Sequence, residues 1–545
     1  MKALIVDALG ASSGVRHSST DAIGCGPRRI AGVLESNRLD VKIVLAEYAI
    51  NQPSLMDDYD LLMVSAMTID LQAVQKIINC WRIKHRSQLA IIGGPIAGRP
   101  KLLFNLGFDI AVVGEGEISI QRLLDDRLGE SKLAGHRKTV MLDGVGYQSG
   151  DKEFTRWTRD STGYRHQIQR SEALDTFSPS TRCIRDYPAF RALKFYVEIA
   201  RGCSNFLRTS IPLPDGSPCI ECDKCRGRDL EARTECPANI PPGCGFCSVP
   251  TVFGCSRSRK EIEIVKEVRE LVRSGVRRIT LSASDFLDYG RDEMVAPQPL
   301  SDPNHPGPNI GKIESLLSKL TSIPPMIGVP KTDYVYFSAE NIKPSLFDDE
   351  VASVIAEHLP NSTIHLGCET GSEEHSFRLG RPSSPIQTLN AVRSAVRHGL
   401  RPYVYFIHGL PEQTAETARR TVEAMIEIAN EGAEKITLYR FKPLPLSAFE
   451  RFPPAPPARK SRESKTIEKV ARRLNMELKR GLIGKTLDVM AFKYISQGER
   501  KGTVTYPVSD GPVVLIREKN IEPGKRLKVQ ITETVSDRLV GGEML

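Results

Sequence analysis

The sequence predicts an α/β protein in three parts: a doubly wound parallel sheet, a (β/α) partial barrel and a small antiparallel β-barrel. Three observations support this prediction. The chain has 545 residues, which is too many for a single hydrophobic core. Over most of its length short apolar runs alternate with amphipathic segments, as in parallel sheets covered by helices. Residues 491–545 instead alternate polar and apolar side chains.

The first part, residues 1–130, contains apolar runs that we expect to form buried strands: KALIVDAL, KIVLAEY, DLLMVSAM, LAIIGGP and DIAVVGEGE. Glycines cluster where these runs end. We expect Ser65, Gly94 and Gly116 at the carboxyl edge of the sheet, where Rossmann-like, doubly wound folds bind ligands. A GxGxxG fingerprint is absent, which argues against a nicotinamide cofactor.

The second part, residues 191–450, follows a linker at 131–190 in which we expect a small hairpin. Its predicted strands are KFYVEIARG, RRITLSASD, YVYFSAEN, TIHLGCETG, PYVYFIHGLP and KITLYRFKP. Helical segments separate most of these runs, which favours a (β/α) partial barrel with its site at the strand carboxyl ends. Residues 290–330 are rich in Pro, Asn, Asp and Gly, and we expect a long loop there.

Residues 451–490 form a Pro- and charge-rich linker followed by a basic helix, and they lead into the predicted C-terminal barrel. The composition is ordinary for a globular protein, with 40% hydrophobic and 26% charged residues. No apolar run approaches the roughly 18–20 residues of a membrane span, so we expect no membrane partner. The N-terminus has the pattern of a buried strand rather than a signal peptide, and we expect a cytoplasmic protein.

Cysteine placement is the most informative feature of the sequence. Seven of the 12 cysteines lie between Cys203 and Cys247. A cytosolic chain of this size gains little from disulfides, so this clustering favours metal or cluster ligation. Cys203 ends the run FYVEIARGC, and PPGCGFCSVP places Cys244 and Cys247 two residues apart from each other.

These three cysteines, with Phe246 before the last of them, resemble the radical S-adenosylmethionine (SAM) superfamily, whose motif is Cys-x3-Cys-x2-Cys after the first barrel strand. The resemblance implies a [4Fe–4S] cluster on Cys203, Cys244 and Cys247, SAM on its open iron, and an electron donor such as ferredoxin or flavodoxin. An insertion at 204–243 splits the motif here. An insert cysteine in place of Cys203, or a zinc ribbon, therefore remains an alternative.

Segments after the cysteines support the same resemblance in the expected order. GCETGSEEHSFRLGR resembles the family's Gly-x-Glu-x-Gly-Ser stretch, and GLPEQT resembles its Gly-x-Pro-Gly-Glu-Thr turn, with Glu412 where glycine is commoner. The segments SASDF and SAEN follow two other predicted strands. The cofactor-binding residues expected from these segments are Ser282, Ser338, Glu340, Glu369, Ser372, Arg378, Gly409 and Glu412. Of these, Arg378 is the expected partner of the SAM carboxylate.

The insertion carries four further cysteines: Cys219, Cys222, Cys225 and Cys236. Two successive x2 spacings and a final Cys-Pro are similar to ferredoxin ligation. Four thiolates could equally hold a structural zinc ion. We therefore expect an auxiliary site that holds either a second Fe–S cluster or zinc.

The two end parts suggest the reaction. A Rossmann-like domain before a radical SAM barrel resembles the cobalamin-binding domain of one large subgroup, which implies cobalamin over the edge carrying Ser65, Gly94 and Gly116. The Asp-x-His-x-x-Gly motif is missing, because the first strand continues into Asp7-Ala-Leu-Gly, so cobalt should lack a histidine from that position. The C-terminal part resembles a TRAM domain of RNA-modifying enzymes, and basic residues that could contact RNA phosphates are Arg517, Lys519, Lys525, Arg526 and Lys528.

Our leading hypothesis is a cobalamin-dependent radical SAM methyltransferase that acts on RNA. A tRNA methylthiotransferase is the first alternative, but the N-terminal domain of such enzymes carries its own three-cysteine cluster. Residues 1–125 contain only Cys25 and Cys80. Carbon methylation of a protein or peptide is the second alternative. A non-enzymatic RNA-binding protein with a zinc ribbon is the third.

Overall fold

The computed structural model describes residues 1–16, 20–125, 139–142, 145–148, 158–160, 163–165, 174–323, 334–497 and 500–545. The chain forms two compact units. The first unit comprises Met1–Arg159, Arg170–Phe190 and Leu444–Leu446. The second comprises Asp160–Gln169, Arg191–Pro443 and Ser447–Leu545. No helix among the described residues has the length and apolar content needed to cross a membrane.

The first unit is built on a sheet of seven strands: Lys2–Asp7 (β1), Asp40–Leu45 (β2), Leu61–Ser65 (β3), Leu89–Gly93 (β4), Ile110–Val113 (β5), Thr139–Leu142 (β6) and Val145–Gln148 (β7). Their order is β2-β1-β3-β4-β5-β6-β7, and all neighbours are parallel except the antiparallel pair β6–β7. Strands β3, β4 and β5 are buried along almost their whole length, which explains their continuous apolar sequences. The predicted doubly wound sheet is confirmed.

Among the described residues of this unit, five α-helices accompany the sheet: Cys25–Ser36 (α1), Ala46–Asn51 (α2), Leu71–Lys84 (α3), Pro100–Leu106 (α4) and Gly116–Asp125 (α5). The apolar side of α3 shows why these segments are helical. Val74, Ile77, Ile78 and Trp81 recur at helical spacing, and all four are fully buried in the core of the unit.

The second unit contains six strands that pair side by side in parallel: Lys194–Glu198 (β8), Arg278–Ser282 (β9), Tyr336–Ile342 (β10), Thr363–Glu369 (β11), Arg401–His408 (β12) and Lys435–Arg440 (β13). Their spatial order follows their sequence order. The helices of this unit are Val249–Phe253 (α6), Glu261–Arg273 (α7), Arg291–Val295 (α8), Ile310–Thr321 (α9), Asp349–His358 (α10), Glu373–Arg378 (α11), Pro385–Arg397 (α12), Ala415–Asn430 (α13) and Arg462–Arg480 (α14). The predicted (β/α) partial barrel is confirmed.

The expectation of a long loop over residues 290–330 is wrong for helices α8 and α9. Helix α9 begins after Asn309, whose side chain accepts a hydrogen bond from the Lys312 amide at 3.2 Å. Its buried side chains, Ile313, Leu316, Leu317 and Leu320, follow helical spacing. The Pro- and Asn-rich residues before Asn309 obscured this pattern, and residues 324–330 lie outside the described residues.

The C-terminal segment forms a closed five-stranded barrel, as predicted, but one of its strand pairs is parallel where we expected antiparallel pairing throughout. Its strands are Thr486–Gln497 (β14), Arg500–Pro507 (β15), Val513–Arg517 (β16), Arg526–Thr534 (β17) and Leu539–Met544 (β18), in the order β14-β15-β16-β18-β17. Strand β18 closes the barrel by pairing parallel to β16 and antiparallel to β17. Short strands elsewhere are Ala22–Ile23, Thr158–Asp160, Gly163–Arg165, Ala200–Arg201, Glu235–Cys236 and Arg257–Ser258.

The C-terminal barrel caps the amino ends of the parallel strands in its own unit. Asp510 lies in the loop between β15 and β16, and its carboxylate pairs with Lys194 Nζ at 3.2 Å. It also accepts a hydrogen bond from Thr363 Oγ1 at 2.9 Å, and Arg401 donates to the Asp510 carbonyl at 3.1 Å. Lys194, Thr363 and Arg401 are the first residues of β8, β11 and β12. The carboxyl ends of these strands therefore lie at the opposite end of the partial barrel.

Candidate active site

A tight turn after β8 positions Cys203. Gly202 has φ of +88°, and a Cβ there would lie 2.2 Å from the Cys255 carbonyl oxygen, so only glycine fits this turn. The Cys203 amide then donates to the Gly254 carbonyl at 3.1 Å. These contacts place Cys203 just beyond the carboxyl end of β8, as its position in the sequence predicts.

Asn205 brings the two halves of the split motif together. Its amide donates to Cys203 Sγ at 3.4 Å, and its side-chain Nδ2 donates to Cys244 Sγ at 3.3 Å. The Cys247 amide donates to the Cys244 carbonyl at 2.8 Å, and Cys247 Sγ accepts from the Val249 amide at 3.5 Å. Each of the three sulfurs thus receives a hydrogen bond, although the insertion separates Cys203 from the other two.

The environment of these sulfurs fits an iron–sulfur cluster. Burial raises the pKa of the Cys247 thiol to about 12, with a further contribution from Cys244, and burial also raises the pKa of Cys203. Thiols in such a place become thiolates when a metal binds them. Within the described ranges, no group of three His, Cys, Asp or Glu side chains is close enough to hold a metal ion as they stand. Cysteine thiolates are the usual ligands of [4Fe–4S] clusters, and the three cysteines supply that ligand type.

A buried ion network lies directly behind Cys203. Asp288 accepts hydrogen bonds from the Ser204 amide at 3.0 Å and its hydroxyl at 2.8 Å. Lys343 Nζ lies 2.8 Å from Asp285 and 3.2 Å from Asp288, and Arg291 pairs with Asp288. Burial alone would raise the pKa of Asp288, but Lys343 and Arg291 lower it to about 2. The charges of the two carboxylates and the two cations therefore balance. The hydrogen bonds from Ser204 to Asp288 fix the backbone beside Cys203.

Glu369 lies at the carboxyl end of β11 in a strained position. The register between β11 and β12 shifts between Gly367 and Glu369, and Glu369 has φ of +67°. Strained, non-glycine positions of this kind concentrate at functional sites. Burial raises the pKa of Glu369, partly offset by Arg381, whose guanidinium lies 3.6 Å from the carboxylate.

Arg381 is a residue that the sequence analysis did not single out. Its Nη1 lies 3.9 Å from Cys244 Sγ, and Nη2 donates to the Gly367 carbonyl. It therefore links the cysteine site to the strand end that carries Glu369. Arg378, the predicted partner of the SAM carboxylate, forms a half-exposed pair with Glu412 at 2.7 Å, and its contact with SAM stays a prediction. The GCETGSEEHSFRLGR segment held both arginines, and only the fold distinguishes them.

The remaining predicted cofactor residues have local partners. Ser372 caps α11 by accepting a hydrogen bond from the His375 amide at 3.3 Å. The Ser338 hydroxyl is fully buried and lies 3.0 Å from Thr280 Oγ1. Ser282 ends β9, and its carbonyl accepts from the Ile199 amide at 2.9 Å. Their contacts to SAM stay predictions.

Glu340 and Gly409 lie at different depths along the strands. Glu340 lies within β10, and its carboxylate accepts a hydrogen bond from the Tyr196 hydroxyl at 2.8 Å. Gly409 follows β12 with φ of +75°. A Cβ on Gly409 would lie 2.3 Å from the Ala455 Cβ, so packing requires glycine there. The turn after it also contains Glu412, with φ of +62°.

At the carboxyl edge of the first unit, Ser65 ends β3, and the two predicted glycines follow β4 and β5. Gly94 has φ of +87°, and a Cβ there would lie 2.6 Å from the Ala66 carbonyl oxygen. A Cβ on Gly116 would lie 2.6 Å from Ile30 Cδ1. Close packing inside the unit therefore explains both glycines. Asp7, at the end of β1, is buried and pairs with Arg16 at 3.0 Å.

Comparison with known protein families identifies the domain around the cysteines. The radical SAM superfamily model matches residues 236–425, a range that contains Cys244, Cys247 and Glu369 but begins after Cys203. Two relatives match nearly the whole chain. "Uncharacterized protein MK0932" of Methanopyrus kandleri is 39% identical over 99% of this chain and 96% of its own length. "Uncharacterized protein MJ1620" of Methanocaldococcus jannaschii is 37% identical over 99% of this chain and 98% of its own.

More distant relatives cover part of the chain. The ribosomal protein uS12 methylthiotransferase RimO of Myxococcus xanthus is 26% identical over 53% of this chain and 57% of its own length. Among solved structures, the radical SAM methyltransferase TsrM of Kitasatospora setae, with cobalamin and a [4Fe–4S] cluster bound, has a TM-score of 0.51 and 14% identity over 83% of this chain and 77% of its own. The cobalamin-dependent SAM radical enzyme OxsB, with aqua-cobalamin bound, has a TM-score of 0.52 and 13% identity over 78% of this chain and 51% of its own.

At these identities the solved structures are similar in fold alone. The family assignment depends instead on the superfamily match around Cys244 and Cys247 and on the two full-length relatives. The chain belongs to the radical SAM superfamily, in one family with the Methanopyrus kandleri and Methanocaldococcus jannaschii proteins.

Proposed function

We propose that this radical SAM enzyme catalyses cobalamin-dependent methyl transfer. The observation that carries the proposal is the combination of a doubly wound parallel sheet with a radical SAM partial barrel in one chain. The same combination supports the fold similarity to TsrM and OxsB, which extends over 83% and 78% of this chain. Both of those structures contain bound cobalamin.

The carboxyl edge of the first unit fits a polar ligand. The sheet order reverses beside β1, so the loops after β1 and β3 border the crevice where doubly wound folds bind ligands. In these loops Thr68 Oγ1 and two nitrogens of Arg16 are buried without a hydrogen-bond partner among the described residues. Buried polar atoms normally have partners, and the amide side chains of a corrin could supply them.

The chain's own residues would hold the cofactors in separate places. Cys203, Cys244 and Cys247 would ligate the cluster, with Asn205 donating to two of their sulfurs. Arg381 places a positive charge near Cys244, where it would offset the negative charge of the thiolates. When bound, the cluster supplies the electron that cleaves SAM, and cobalamin supplies a methyl carrier. Glu369, beside Arg381, is the carboxylate that we assign to SAM.

Cobalamin retention tests the proposal. Full-length protein incubated with hydroxocobalamin should retain stoichiometric cobalt through gel filtration. The described residues at the carboxyl edge include no histidine, and His17 lies outside the described residues. Because the first strand lacks the Asp-x-His-x-x-Gly motif, we expect His17→Ala to leave the absorbance spectrum of the bound cobalamin unchanged. Protein that retains no cobalt would contradict the proposal. A spectrum that changes in His17→Ala would contradict the expected absence of a histidine ligand.

Methylthio transfer is the second candidate, because RimO and a tRNA-2-methylthio-N(6)-dimethylallyladenosine synthase are among the relatives. Against it, the first unit has only Cys25, Cys80 and Cys183, spread widely along the sequence. Cys183 is buried, and burial together with Glu35 raises its pKa to about 12. The mass of the product would distinguish a methyl group from a methylthio group.

We extend the proposal to an RNA substrate, with the C-terminal barrel as its binding surface. Two of the five predicted basic residues already have acidic partners, since Arg517 pairs with Glu533 at 2.7 Å and Arg526 pairs with Asp488. Lys519, Lys525 and Lys528 are exposed and remain the residues that we expect to contact phosphates. Because the barrel caps the strand amino ends, RNA bound there would have to extend along the unit to the cysteine site.

A further inference from the structure

The insertion at 204–243 is folded closely onto its unit, although it has little regular structure. It contains two short 3-10 turns and the two-residue strand Glu235–Cys236. Arg233 pairs with Asp302 at 2.5 Å, and the Leu230 carbonyl accepts a hydrogen bond from the Ser301 hydroxyl at 2.6 Å. Small segments without a core of their own usually need a metal or disulfides to hold one conformation. Its cysteines form no disulfide.

A buried arginine, Arg208, lies inside the insertion. Arg208 is 3% exposed, and its guanidinium donates to backbone carbonyls, including Arg233 O at 2.8 Å and Ile240 O at 3.2 Å. Among the described residues, the groups that accept hydrogen bonds from Arg208 are all backbone carbonyls. Arg233 also donates to the Cys225 carbonyl at 2.9 Å, so the chain just before Cys236 lies against Cys225.

A buried cation without a counter-ion is strongly unfavourable, whereas thiolates beside it would balance its charge. Free thiols are largely neutral at pH 7, and cysteines bound to a metal are deprotonated. If Cys225 and Cys236 bind a metal as thiolates, they would supply negative charge near Arg208. Cys219 packs with Cys236 in one apolar cluster, which brings a further insert cysteine into the same region.

We propose that Cys219, Cys222, Cys225 and Cys236 ligate a second [4Fe–4S] cluster. Two successive x2 spacings followed by a final Cys-Pro are similar to ferredoxin ligation, and this similarity favours the cluster over zinc. Cys236 Sγ also accepts a hydrogen bond from the Ile240 amide at 3.4 Å.

This cluster would lie near the SAM cluster. Cys219 and Cys236 belong to one apolar cluster with Ile211, Ile240 and Phe246, and Phe246 stands between the two cysteines of the Cys-x2-Cys motif. Two reduced clusters at such close quarters interact magnetically. The proposal depends on the radical SAM assignment but is independent of cobalamin and of the substrate.

Iron and sulfide analysis of the anaerobically reconstituted full-length chain tests the proposal. The double variant Cys222→Ala/Cys225→Ala should lose about half of the iron and sulfide of the unaltered protein, because each cubane carries the same number of ions. Cys222 is exposed and Cys225 is half-buried, so neither replacement removes a fully buried side chain. The matched control, Cys80→Ala/Cys183→Ala, also removes two thiols, both in the first unit, and should keep all of the iron.

Electron paramagnetic resonance gives a second reading on the same samples. The reduced protein should show two interacting clusters, and the double variant should show one isolated cluster that still cleaves SAM, which also proves that the variant is folded. Stoichiometric zinc in the unaltered protein would overturn the proposal. Equal iron in the unaltered protein and the double variant would overturn it as well. Absence of cobalamin binding would leave both results unaffected, so failure of the proposed function is distinguishable.

Discussion

Replacing Asp510 with asparagine should destabilise the second unit far more than an ordinary loop substitution would. Asp510 has φ of +60°, a conformation that asparagine tolerates, so the variant removes the charge without straining the backbone. Its side chain is 7% exposed, and it lies 3.2 Å from Lys194 and 3.7 Å from Arg278. Asparagine can keep the hydrogen bond with Thr363, which is 2.9 Å long in the unaltered protein.

The expected cost follows from burial. Removing one partner of a buried ion pair costs about 3–5 kcal/mol, and the retained hydrogen bond puts Asp510→Asn at about 3 kcal/mol. In a unit this large, that corresponds to a fall in Tm of roughly 3–6 °C. The control is Glu533→Ala, which removes a pair in the same barrel whose side chains are 46% and 44% exposed. It should cost about 0–1 kcal/mol.

The effect should also depend on pH. Burial would raise the pKa of Asp510, but Lys194 and Arg278 outweigh it and hold the folded-state pKa below the ordinary value. A carboxylate with a depressed pKa stabilises the fold fully above its unfolded pKa of about 3.9 and loses this contribution as the pH falls through the folded value. Calorimetry should therefore show a constant difference between Asp510→Asn and the unaltered protein from pH 7 to about pH 5, which shrinks below about pH 4. A difference no larger than that of Glu533→Ala would refute this account of the barrel's attachment.

Three further predictions concern the site and the substrate. Cys247→Ala should abolish reductive SAM cleavage measured by product chromatography, whereas Cys80→Ala should retain it; cleavage by Cys247→Ala would remove that residue from the ligand set. Glu369→Ala should weaken SAM binding in equilibrium dialysis at least tenfold while iron content stays unchanged, because a lost charged hydrogen bond costs about 1.5–3 kcal/mol; equal affinity would exclude this residue from the SAM site. Replacing the exposed barrel lysines Lys519, Lys525 and Lys528 with alanine should weaken binding to bulk tRNA. The affinity of this variant should also depend less steeply on salt concentration. The control variant replaces three exposed lysines of the first unit, Lys2, Lys42 and Lys101, with alanine. An equal loss of RNA affinity in this control would contradict a binding surface on the barrel.

Local sequence patterns predicted the parallel sheets because each buried strand can be recognised from its own apolar sequence. The runs LLMVS and LAIIG are apolar throughout, and a strand buried on both faces requires that composition. The position of Cys203 was also predictable from the sequence, because the cysteine motif follows the first strand of the partial barrel. Its approach to Cys244 across the insertion was an expectation from the family motif, and in the structure Asn205 hydrogen-bonds to both sulfurs.

Other features depended on contacts distant in the sequence. The arginines Arg378 and Arg381 are three positions apart, and only the helical turn and the Gly367 carbonyl determine which one approaches Cys244. Asp510 precedes a glycine in a turn, where aspartate is common for local reasons, so nothing in the sequence indicated three distant partners. Strand β18 contains Gly541 and Gly542, which lower strand propensity. A Cβ on Gly542 would lie 2.5 Å from Val529 Cγ1, so barrel closure requires the glycine.

Charged side chains inside the partial barrel link the loop of the C-terminal barrel to strand β10. Lys194 Nζ lies between two carboxylates, 3.2 Å from Asp510 and 3.5 Å from Glu340. Glu340 also accepts a hydrogen bond from Tyr196 and lies 3.6 Å from His365 Nδ1, and burial lowers the pKa of that histidine so that it is neutral near pH 7. Lys194 is therefore a cationic partner of both Asp510, in the barrel loop, and Glu340, in β10. The loss of the Asp510 charge would leave Glu340 as the carboxylate partner of Lys194, so a change at the amino end of the strands would alter the charge balance inside the partial barrel.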